Sequence, residues 1–591
     1  MAVKFLKYAW QKALAKIVLI LVIVIIIAAY FVNRYWSPIL AQKVKATVLT
    51  STDSLYEADF KDADFHILQG KLVIHNITVK PNMAVYNRNT KLNFAPNNLY
   101  RLKVKRLVIK RMHPLRLYFD GKLDIGQIIL SAPELQVTYR LNHKTDSLPK
   151  DHLTTWQRIK SMLKSIHIGQ VMLNDVKFKY DDYSGHKLEI SELKEMNLTC
   201  NDLLIDSTTQ NDKSRFFYFK DVQIELNNFK RSAGSGLYYY QVKQLKFSTL
   251  TSRLQANGLS ILPADEAVFM SRNIRNRYAF SADTLQADSF DFKTYNKYRS
   301  IYSSKVLINH GIFSVLTNTA APVSKGNRLR SFPNVAIQQM SNTIKIDTIA
   351  LRHVDVTYKG YGKRSHKPGH ITLNNTSGLI LNVTNHPAAL QHNNLCQMQF
   401  TSQLMNEGPL STNATFNLTD SARSYAYNGT LGAMNLEKLN SVTMPFALVK
   451  IASGKLKHFS FDITGNKTLS HGRVTLLYND LRIRLLKTDS MRYRKRAIIS
   501  MMANAMIIKH NNPDTIGAKP RSYEVSYVRQ PDTPFFKSVW KTLAIGIKST
   551  AGYDPATEKR IKSTIARHTA NKQQHEAQKA LRLKRRTYRH K

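Results

Sequence analysis

"SIHIGQVMLNDVKFKY", residues 165–180, returns at 343–358 as "TIKIDTIALRHVDVTY", with apolar positions that step by 2, 3, 2, 3, 2 and 2 residues and end on a tyrosine. On a helix, where each residue turns by about 100°, this spacing gives no apolar stripe. Steps of two keep side chains on one face of a strand, and each step of three needs a bulge to return the apolar set to that face. The spacing therefore predicts short, bent strands with one apolar face. The apolar set is Ile166, Ile168, Val171, Leu173, Val176, Phe178 and Tyr180, then Ile344, Ile346, Ile349, Leu351, Val354, Val356 and Tyr358.

Two weaker copies support the repeat. "LDIGQIILSAPELQVTY" (123–139) fits if two residues around Pro133 are an insertion, and "FSADTLQADSFDF" (280–292) fits without the final tyrosine. Because 43% of the chain is apolar, apolar spacing alone recurs by chance. The Ile-Gly-Gln triplet shared by 125–127 and 168–170 is the more specific sign that the copies are related.

Charge and cysteine usage limit the classes of partner. The 591 residues carry 87 Lys and Arg against 40 Asp and Glu, a net charge of +47, which raises nucleic acid as a partner. The basic residues are spread along the chain, as in "RLKVKRLVIKR" (101–111), which is typical of solvated strand faces and disfavours a nucleic-acid binder. Cys200 and Cys396 are isolated, so neither a disulfide framework nor a zinc site is predicted.

The N-terminal region predicts a membrane anchor. "IVLILVIVIIIAAYFV" (17–32) is an uninterrupted apolar run, about 24 Å long as a helix. Four lysines and no acidic residue precede it, so the positive-inside rule places the N-terminus in the cytoplasm. A cleaved signal peptide is the alternative, but the apolar core is long for one and no small-x-small site ends it. The lysines are Lys4, Lys7, Lys12 and Lys16, and Ile17, Leu21, Ile25 and Val32 mark the predicted anchor.

The pattern along the chain predicts six segments. Residues 151–166 form an amphipathic helix, interpreted as a lid on the end of a sheet rather than a binding helix. The last segment has 12 Lys or Arg against two Glu and is predicted to be a solvated helix or a disordered tail. The segments are 1–36 (cytoplasmic N-terminus and anchor), 37–150 (N-terminal β module), 151–166 (helix), 167–490 (repeating β body), 491–553 (closing region) and 554–591 (basic tail).

No residue pattern predicts catalysis. The acidic cluster Glu57, Asp59, Asp62 and Asp64 is interpreted as a polar loop rather than a metal or acid–base site. The chain contains no GxSxG, HExxH, phosphate-binding glycine loop or EF-hand pattern. The prediction is therefore a protein that is not an enzyme and has no catalytic, cofactor-binding or metal site.

The layout resembles the AsmA-like proteins and, more broadly, the bridge-like lipid-transfer proteins built from repeating β-groove modules. The resembling features are the basic N-terminus with a single span at 17–32, "GKLVIHNITV" (70–79), recurring Ile-x-Ile-Gly-x-Ile-x-Leu strands, and the stretch 454–487. In that last stretch Gly454, Gly472, Tyr478 and the pair Asp480-Leu481 are placed as in AsmA-like C-terminal regions.

The resemblance implies a mainly β fold: an elongated, strongly bent antiparallel sheet of repeating β-groove type, with one N-terminal transmembrane helix and few short helices. It implies a single-pass protein of a bacterial inner membrane, with the N-terminus cytoplasmic and the body periplasmic. The apolar side would shield and conduct phospholipid acyl chains for outer-membrane lipid homeostasis, without a cofactor. The candidate lipid-facing residues are Ile166, Ile168, Val171, Leu173, Val176 and Phe178, with Ile344, Ile346, Ile349, Leu351, Val354 and Val356.

Two alternatives stay open at this point. A sheet with one apolar face must cover it with another layer or with something else apolar, so the face either closes into a sandwich or stays an open groove filled by lipid. The alternative function is a non-enzymatic envelope scaffold or outer-membrane assembly factor that binds other envelope proteins. The expected partners are phospholipid, the inner membrane and an anionic lipid surface that contacts the basic tail.

Overall fold

The fold is mainly β, and its strands form one large mixed sheet in a computed structural model. The chain divides into two compact units: unit 1 holds residues up to 235 with 239–260 and 283–304, and unit 2 holds 236–238, 261–282 and 305 onward. The residues described are 52–66, 70–140, 154–161, 163–183, 189–212, 214–233, 235–272, 274–292, 294–295, 300–317, 326–489, 492–495 and 509–553, with isolated helical positions between 563 and 578.

Unit 1 is organised around two long central strands, β4 and β7. Strand β4 pairs antiparallel with β3, β5 and β6, and β7 continues the sheet to β8, β9 and β10. The strands are β1 (Tyr56–Asp59), β2 (Asp62–His66), β3 (Lys71–Pro81), β4 (Asn98–Met112), β5 (Lys122–Ser131), β6 (Glu134–Tyr139), β7 (Ser165–Asp182), β8 (Glu189–Ile205), β9 (Phe219–Ser232) and β10 (Tyr238–Ser248). Strands β11 (Arg253–Pro263), β12 (Asn276–Asp288) and β13 (Ile301–Thr317) carry residues of both units.

Unit 2 is a meander whose strands pair mostly with their neighbours along the chain. From β14 to β18 each strand pairs antiparallel with the next, then β20 pairs with β18, β19 and β21, and β23 pairs with β21. The strands are β14 (Ile344–Tyr361), β15 (Pro368–Thr384), β16 (Leu395–Leu404), β17 (Gly408–Asn417), β18 (Tyr425–Leu431), β19 (Met434–Asn435), β20 (Val449–Gly465), β21 (Leu469–Asp489), β22 (Arg492–Lys495) and β23 (Ser522–Val528).

The helices are short except for the last. They are α1 (Met83–Lys91), α2 (Pro114–Asp120), α3 (Thr155–Ile159), α4 (Glu266–Ser271), α5 (Pro333–Gln338), α6 (Pro387–His392), α7 (Asn440–Ala447) and α8 (Phe535–Thr550). Within the described part of the helix predicted for 151–166, residues 154–161 and 163–166, the helical residues are those of α3, with Thr154 and Gln157 forming a capping box at its start. Helix α3 is shorter than predicted because residues 165 and 166 already belong to β7, whose pairing with β5 takes up their backbone groups.

The expectation of an antiparallel sheet is wrong for one part of unit 1. Strand β7 runs parallel to β5 and β6, so two copies of the repeat, 123–139 and 165–180, lie side by side in the same direction. Parallel neighbours need a long crossover, and residues 140–164, which include α3, provide it. The partners keep one offset of 43 residues along both strands, and Pro133 lies opposite Val176. The two-residue insertion predicted around Pro133 is therefore absent.

A row of irregular residues crosses unit 1 at the first step of three. Arg111, Gly126, Gly169 and Asp202 lie beside one another on β4, β5, β7 and β8, and Arg111 and Asp202 have positive φ angles of 55° and 53°. Core residues on every strand step by three across this irregular row: Ile109 to Met112, Ile125 to Ile128, Ile168 to Val171, and Cys200 to Leu203. Since all four strands change phase together, the apolar residues stay on one face without a shift of register, so the bulge predicted at the first step of three is absent from these strands.

The two best copies of the repeat are the first strands of hairpins with the same irregularities. Each copy lies on one continuous strand of 18 residues, so the prediction of short strands is wrong. In β7–β8 the register slips by one residue at Val176 and returns at Phe178, and in β14–β15 it does so at Val354 and Val356. The left-handed residues also correspond: Asp175, Glu195 and Asp202 in the first hairpin, and His353, Asn375 and Asn382 in the second. The bulge predicted at the second step of three is thus present in both copies.

Two predicted segments lie outside the described residues. These are the anchor at 17–32, with Ile17, Leu21, Ile25 and Val32, and almost all of the basic tail 554–591. Among the residues that the structure does describe, none of the helices has the length and apolar character needed to cross a membrane.

We expect a side chain at Gly169 to loosen the parallel pairing of β5 and β7. A Cβ there would lie 2.7 Å from the carbonyl oxygen of Gly126, so Gly169→Ala must push the two backbones apart, at a cost of about 1–3 kcal/mol. Hydrogen exchange with mass spectrometry should show faster exchange in β5 and β7. The control is Gly360→Ala in β14, where the nearest atom, Tyr358 Oη, is 3.4 Å away. Unchanged exchange in β5 and β7 would mean that the close approach does not hold them together.

Candidate functional site

The first copy of the repeat is buried at its start. Ile166 and Ile168 are almost fully buried and belong to the main hydrophobic cluster of unit 1. Ile159 of α3 and Leu163 lie in the same cluster, with Trp156 packed against it. This part of the sheet face is therefore closed by α3, the lid arrangement proposed from the sequence for this helix.

Beyond the irregular row the same strand is less covered. Val171, Leu173 and Phe178 are half-buried, whereas Val176 is buried. The strands beside β7 place Ile128 and Leu130 on one side, and Leu198 and Cys200 on the other; these four residues are buried. We call Val171, Leu173 and Phe178 the half-buried patch of unit 1.

The opposite face of these strands carries a row of polar side chains beside Ile129 and Met172. Gln127 Nε2 donates to Gln170 Oε1 at 2.7 Å, and Gln170 Nε2 donates to Asn201 Oδ1 at 3.1 Å, which gives a ladder of side-chain amides across β5, β7 and β8. The glutamines of the shared Ile-Gly-Gln triplet thus pair with each other across the two copies. The ladder satisfies the amides on this face and leaves the other face apolar.

The second copy of the repeat shows the same division in unit 2. Ile344 and Val354 are buried, and Ile346, Ile349, Leu351 and Val356 are half-buried. Pairing extends the row from Ile349 to Ile380 on β15 and Met398 on β16, which are also half-buried. We call these six half-buried residues the half-buried patch of unit 2: Ile346, Ile349, Leu351, Val356, Ile380 and Met398.

The sequence alone gave no reason to include Ile380 and Met398, because β15 and β16 lack the repeat spacing. A signal was present in β16, "LCQMQFTSQL", where apolar residues alternate with polar ones. In the structure Cys396 is buried while Gln397 and Gln399 are exposed, so the alternation does report the two faces.

Helix α8 covers another part of the same apolar face of the unit 2 sheet. Phe535 at its start makes edge contacts with the rings of Phe332, Phe416 and Tyr425 at centroid distances of 5.1–5.5 Å. Further along, a Cβ built on Gly546 would collide with the Val474 side chain on β21, so the helix backbone is in close contact with the sheet. The apolar face of unit 2 is therefore covered by α8 over β17, β18 and β21. It is half-exposed over β14 to β16.

Both cysteines lie in apolar surroundings, and their thiols have low reactivity. Burial raises the pKa of the Cys200 thiol to about 12, with Asp221 adding to the effect, and burial raises the pKa of Cys396 to about 11. Both thiols are therefore protonated at neutral pH and are poor nucleophiles or metal ligands. Within the part of the chain that the structure describes, no three His, Cys, Asp or Glu side chains are grouped so that they could hold a metal ion.

Known proteins give no further constraint on this chain. No protein-family model matches it, and a search of curated proteins finds no match.

Thiol labelling should report which face of β16 is covered. We expect Cys200 and Cys396 to react with iodoacetamide at pH 8 far more slowly than an exposed thiol in the folded protein, and at the ordinary rate in denaturant, because a raised pKa lowers the thiolate fraction. Mass spectrometry of the alkylated protein measures both rates. The control is Gln397→Cys in a Cys396→Ala background, which places a thiol one residue away on the exposed face. Equal rates at positions 396 and 397 would contradict the assignment of the two faces.

Proposed function

We propose that this chain is an inner-membrane-anchored periplasmic protein whose apolar sheet face shields and conducts phospholipid acyl chains. The observation that carries the proposal is the half-buried patch of unit 2, in which aliphatic side chains from three strands share one face. The half-buried patch of unit 1 falls at the corresponding place in the other copy of the repeat. The anchor and the location rest on the sequence at 17–32 and on the resemblance to AsmA-like proteins.

The physical basis of binding would be burial of apolar surface. Covering apolar area contributes about 25 cal/mol per Å², so an acyl chain that lies along several half-buried side chains is stabilised without any specific polar contact. The polar groups near the first patch are already paired in the ladder of Gln127, Gln170 and Asn201 on the other face. Aliphatic side chains of this kind suit a hydrocarbon ligand better than a polar substrate.

Charge substitutions should separate the half-buried positions from the buried ones. We expect Leu173→Asp and Ile349→Asp to keep the thermal unfolding temperature near that of the unmodified protein and to lose bound lipid, because a half-buried carboxylate can still reach water. Ile168→Asp and Ile344→Asp place the charge in the core, and the expected cost is several kcal/mol. The measurements are thermal unfolding and mass spectrometry of the phospholipid that co-purifies with the full chain.

The matched control is Gln399→Asp, which adds the same charge on the exposed face of β16 and should change neither quantity. Photo-crosslinking from a benzophenone side chain at positions 173 and 349 adds a direct readout of lipid contact. If Leu173→Asp and Ile349→Asp unfold the protein and no lipid crosslinks at either position, both faces are ordinary core. The envelope-scaffold hypothesis would then replace lipid transport.

The predicted membrane topology can be tested separately from lipid binding. The lysines before Ile17 lead us to expect the body on the far side of the inner membrane from the cytoplasm. Protease added to spheroplasts should digest the chain beyond residue 40 while a cytoplasmic control protein stays intact. Protection of the whole chain with an intact inner membrane would overturn the location.

A further inference from the structure

Beyond Phe535 at its start, the fully buried residues of helix α8 are small. The buried residues along one side of the helix are Phe535, Ser538, Thr542, Gly546 and Thr550. The Thr542 hydroxyl donates to the Ser538 carbonyl at 2.9 Å, and the Thr550 hydroxyl donates to the Gly546 carbonyl at 2.7 Å. Because these hydroxyls bond to the helix's own backbone and Gly546 has no side chain, the helix lies close to the sheet and its orientation is fixed.

The large apolar residues of α8 point the other way. Phe536 is 76% exposed and Trp540 is 51% exposed, and Leu543 and Ile547 continue the same helical stripe as half-buried residues. Positions i, i+4, i+7 and i+11 lie on one side of a helix. A helix that served only to cover the sheet would turn this stripe inward. The exposed stripe is the reverse of that arrangement.

A basic stripe runs beside the apolar one. Lys537, Lys541 and Lys548 lie along one side of the helix, with Lys537 and Lys541 one turn apart, and α8 contains no acidic residue. Burial lowers the pKa of Lys537, and the positive charges of Lys541, Lys363 and Arg275 lower it further, against an opposing effect of Asp532. Lysines held close enough to repel one another gain from any anionic surface placed over them.

We propose that the outer surface of α8 binds an anionic lipid surface, with the helix lying in the plane of the interface. Phe536 and Trp540 would enter the boundary between headgroups and acyl chains, a position that aromatic side chains favour, while the lysines contact lipid phosphates. The commitment to a lipid surface rests on the charge: apolar and basic stripes on a helix with no carboxylate of its own match anionic lipid, and the nearby Asp532 is outnumbered by the three lysines of that helix. The sequence continues after α8 with the strongly basic stretch 554–591, which carries the same sign of charge. The inference does not depend on lipid filling the half-buried patches.

The test uses the full chain held in zwitterionic nanodiscs and measures its capture of separate vesicles. We expect capture of vesicles with 30% phosphatidylglycerol and little capture of pure phosphatidylcholine vesicles. Phe536→Ser with Trp540→Ser, and separately Lys537→Gln with Lys541→Gln, should each reduce capture roughly tenfold, and the lysine pair should also reduce its dependence on salt. The matched controls are Ile516→Ser and Lys519→Gln, which remove an exposed apolar residue and an exposed lysine elsewhere in unit 2.

A second measurement reports contact directly. Brominated lipid in the captured vesicles should quench the fluorescence contributed by Trp540, and Trp540→Phe should remove that quenching while capture persists, because Phe keeps an aromatic ring in the stripe.

Three results would overturn the proposal. If removal of 554–591 abolishes capture while the α8 substitutions leave it unchanged, the tail alone binds lipid. If the Phe536 and Trp540 substitutions lower the unfolding temperature, the stripe is covered within the chain, and the apolar segment 497–508 is the first candidate for that cover. If they change the oligomeric state instead, a second copy of the chain covers it.

Discussion

The close approach of two backbones at Gly126 and Gly169 is the constraint on which the first unit depends. A single extra carbon at Gly169 would collide with the Gly126 carbonyl, and one at Gly126 would collide with Arg111. These glycines allow neighbouring strands to change phase in the same row, and the phase change is what brings Ile168 and Val171 to one face. Without it, a step of three residues would send half of each strand's apolar residues to the polar side.

The two units cover their apolar faces in different ways, and the difference decides where apolar residues stay accessible. In unit 1, α3 contributes large side chains, Trp156 and Ile159, so the cover is itself part of the core. In unit 2, α8 contributes one large side chain, Phe535, at its start, and then Ser538, Thr542 and Gly546, whose small side chains permit a close approach and bury little volume of their own. When a helix packs through small residues, its large apolar residues do not contact the sheet. In α8 two of these, Phe536 and Trp540, face outward.

The repeat spacing was sufficient to predict one-sided strands and the bulge at the second step of three, but it also predicted a bulge at the first step, where the strands keep their register. It did not predict that 123–139 and 165–180 pair in parallel, since spacing carries no information about strand direction. The supposed insertion at Pro133 came from aligning Tyr139 with Tyr180, whereas the structure places Val137 opposite Tyr180. Burial also escaped prediction: Ile168 and Leu173 look alike in the sequence and differ only through the distant segments packed over them.

An apolar face of this kind sets limits on how a hydrocarbon ligand is handled. Aliphatic side chains such as Ile349, Leu351 and Ile380 offer no donors or acceptors, so they cannot distinguish one lipid headgroup from another. Their attraction is proportional to the area covered and nearly the same at each position along the row. An acyl chain that shifts by one methylene along the row exchanges one contact for an equivalent one. This favours sliding of the acyl chain over tight binding at one position. If the half-buried patches carry acyl chains, selection among lipids must therefore occur where a headgroup meets polar or charged side chains, and the apolar face provides only the path.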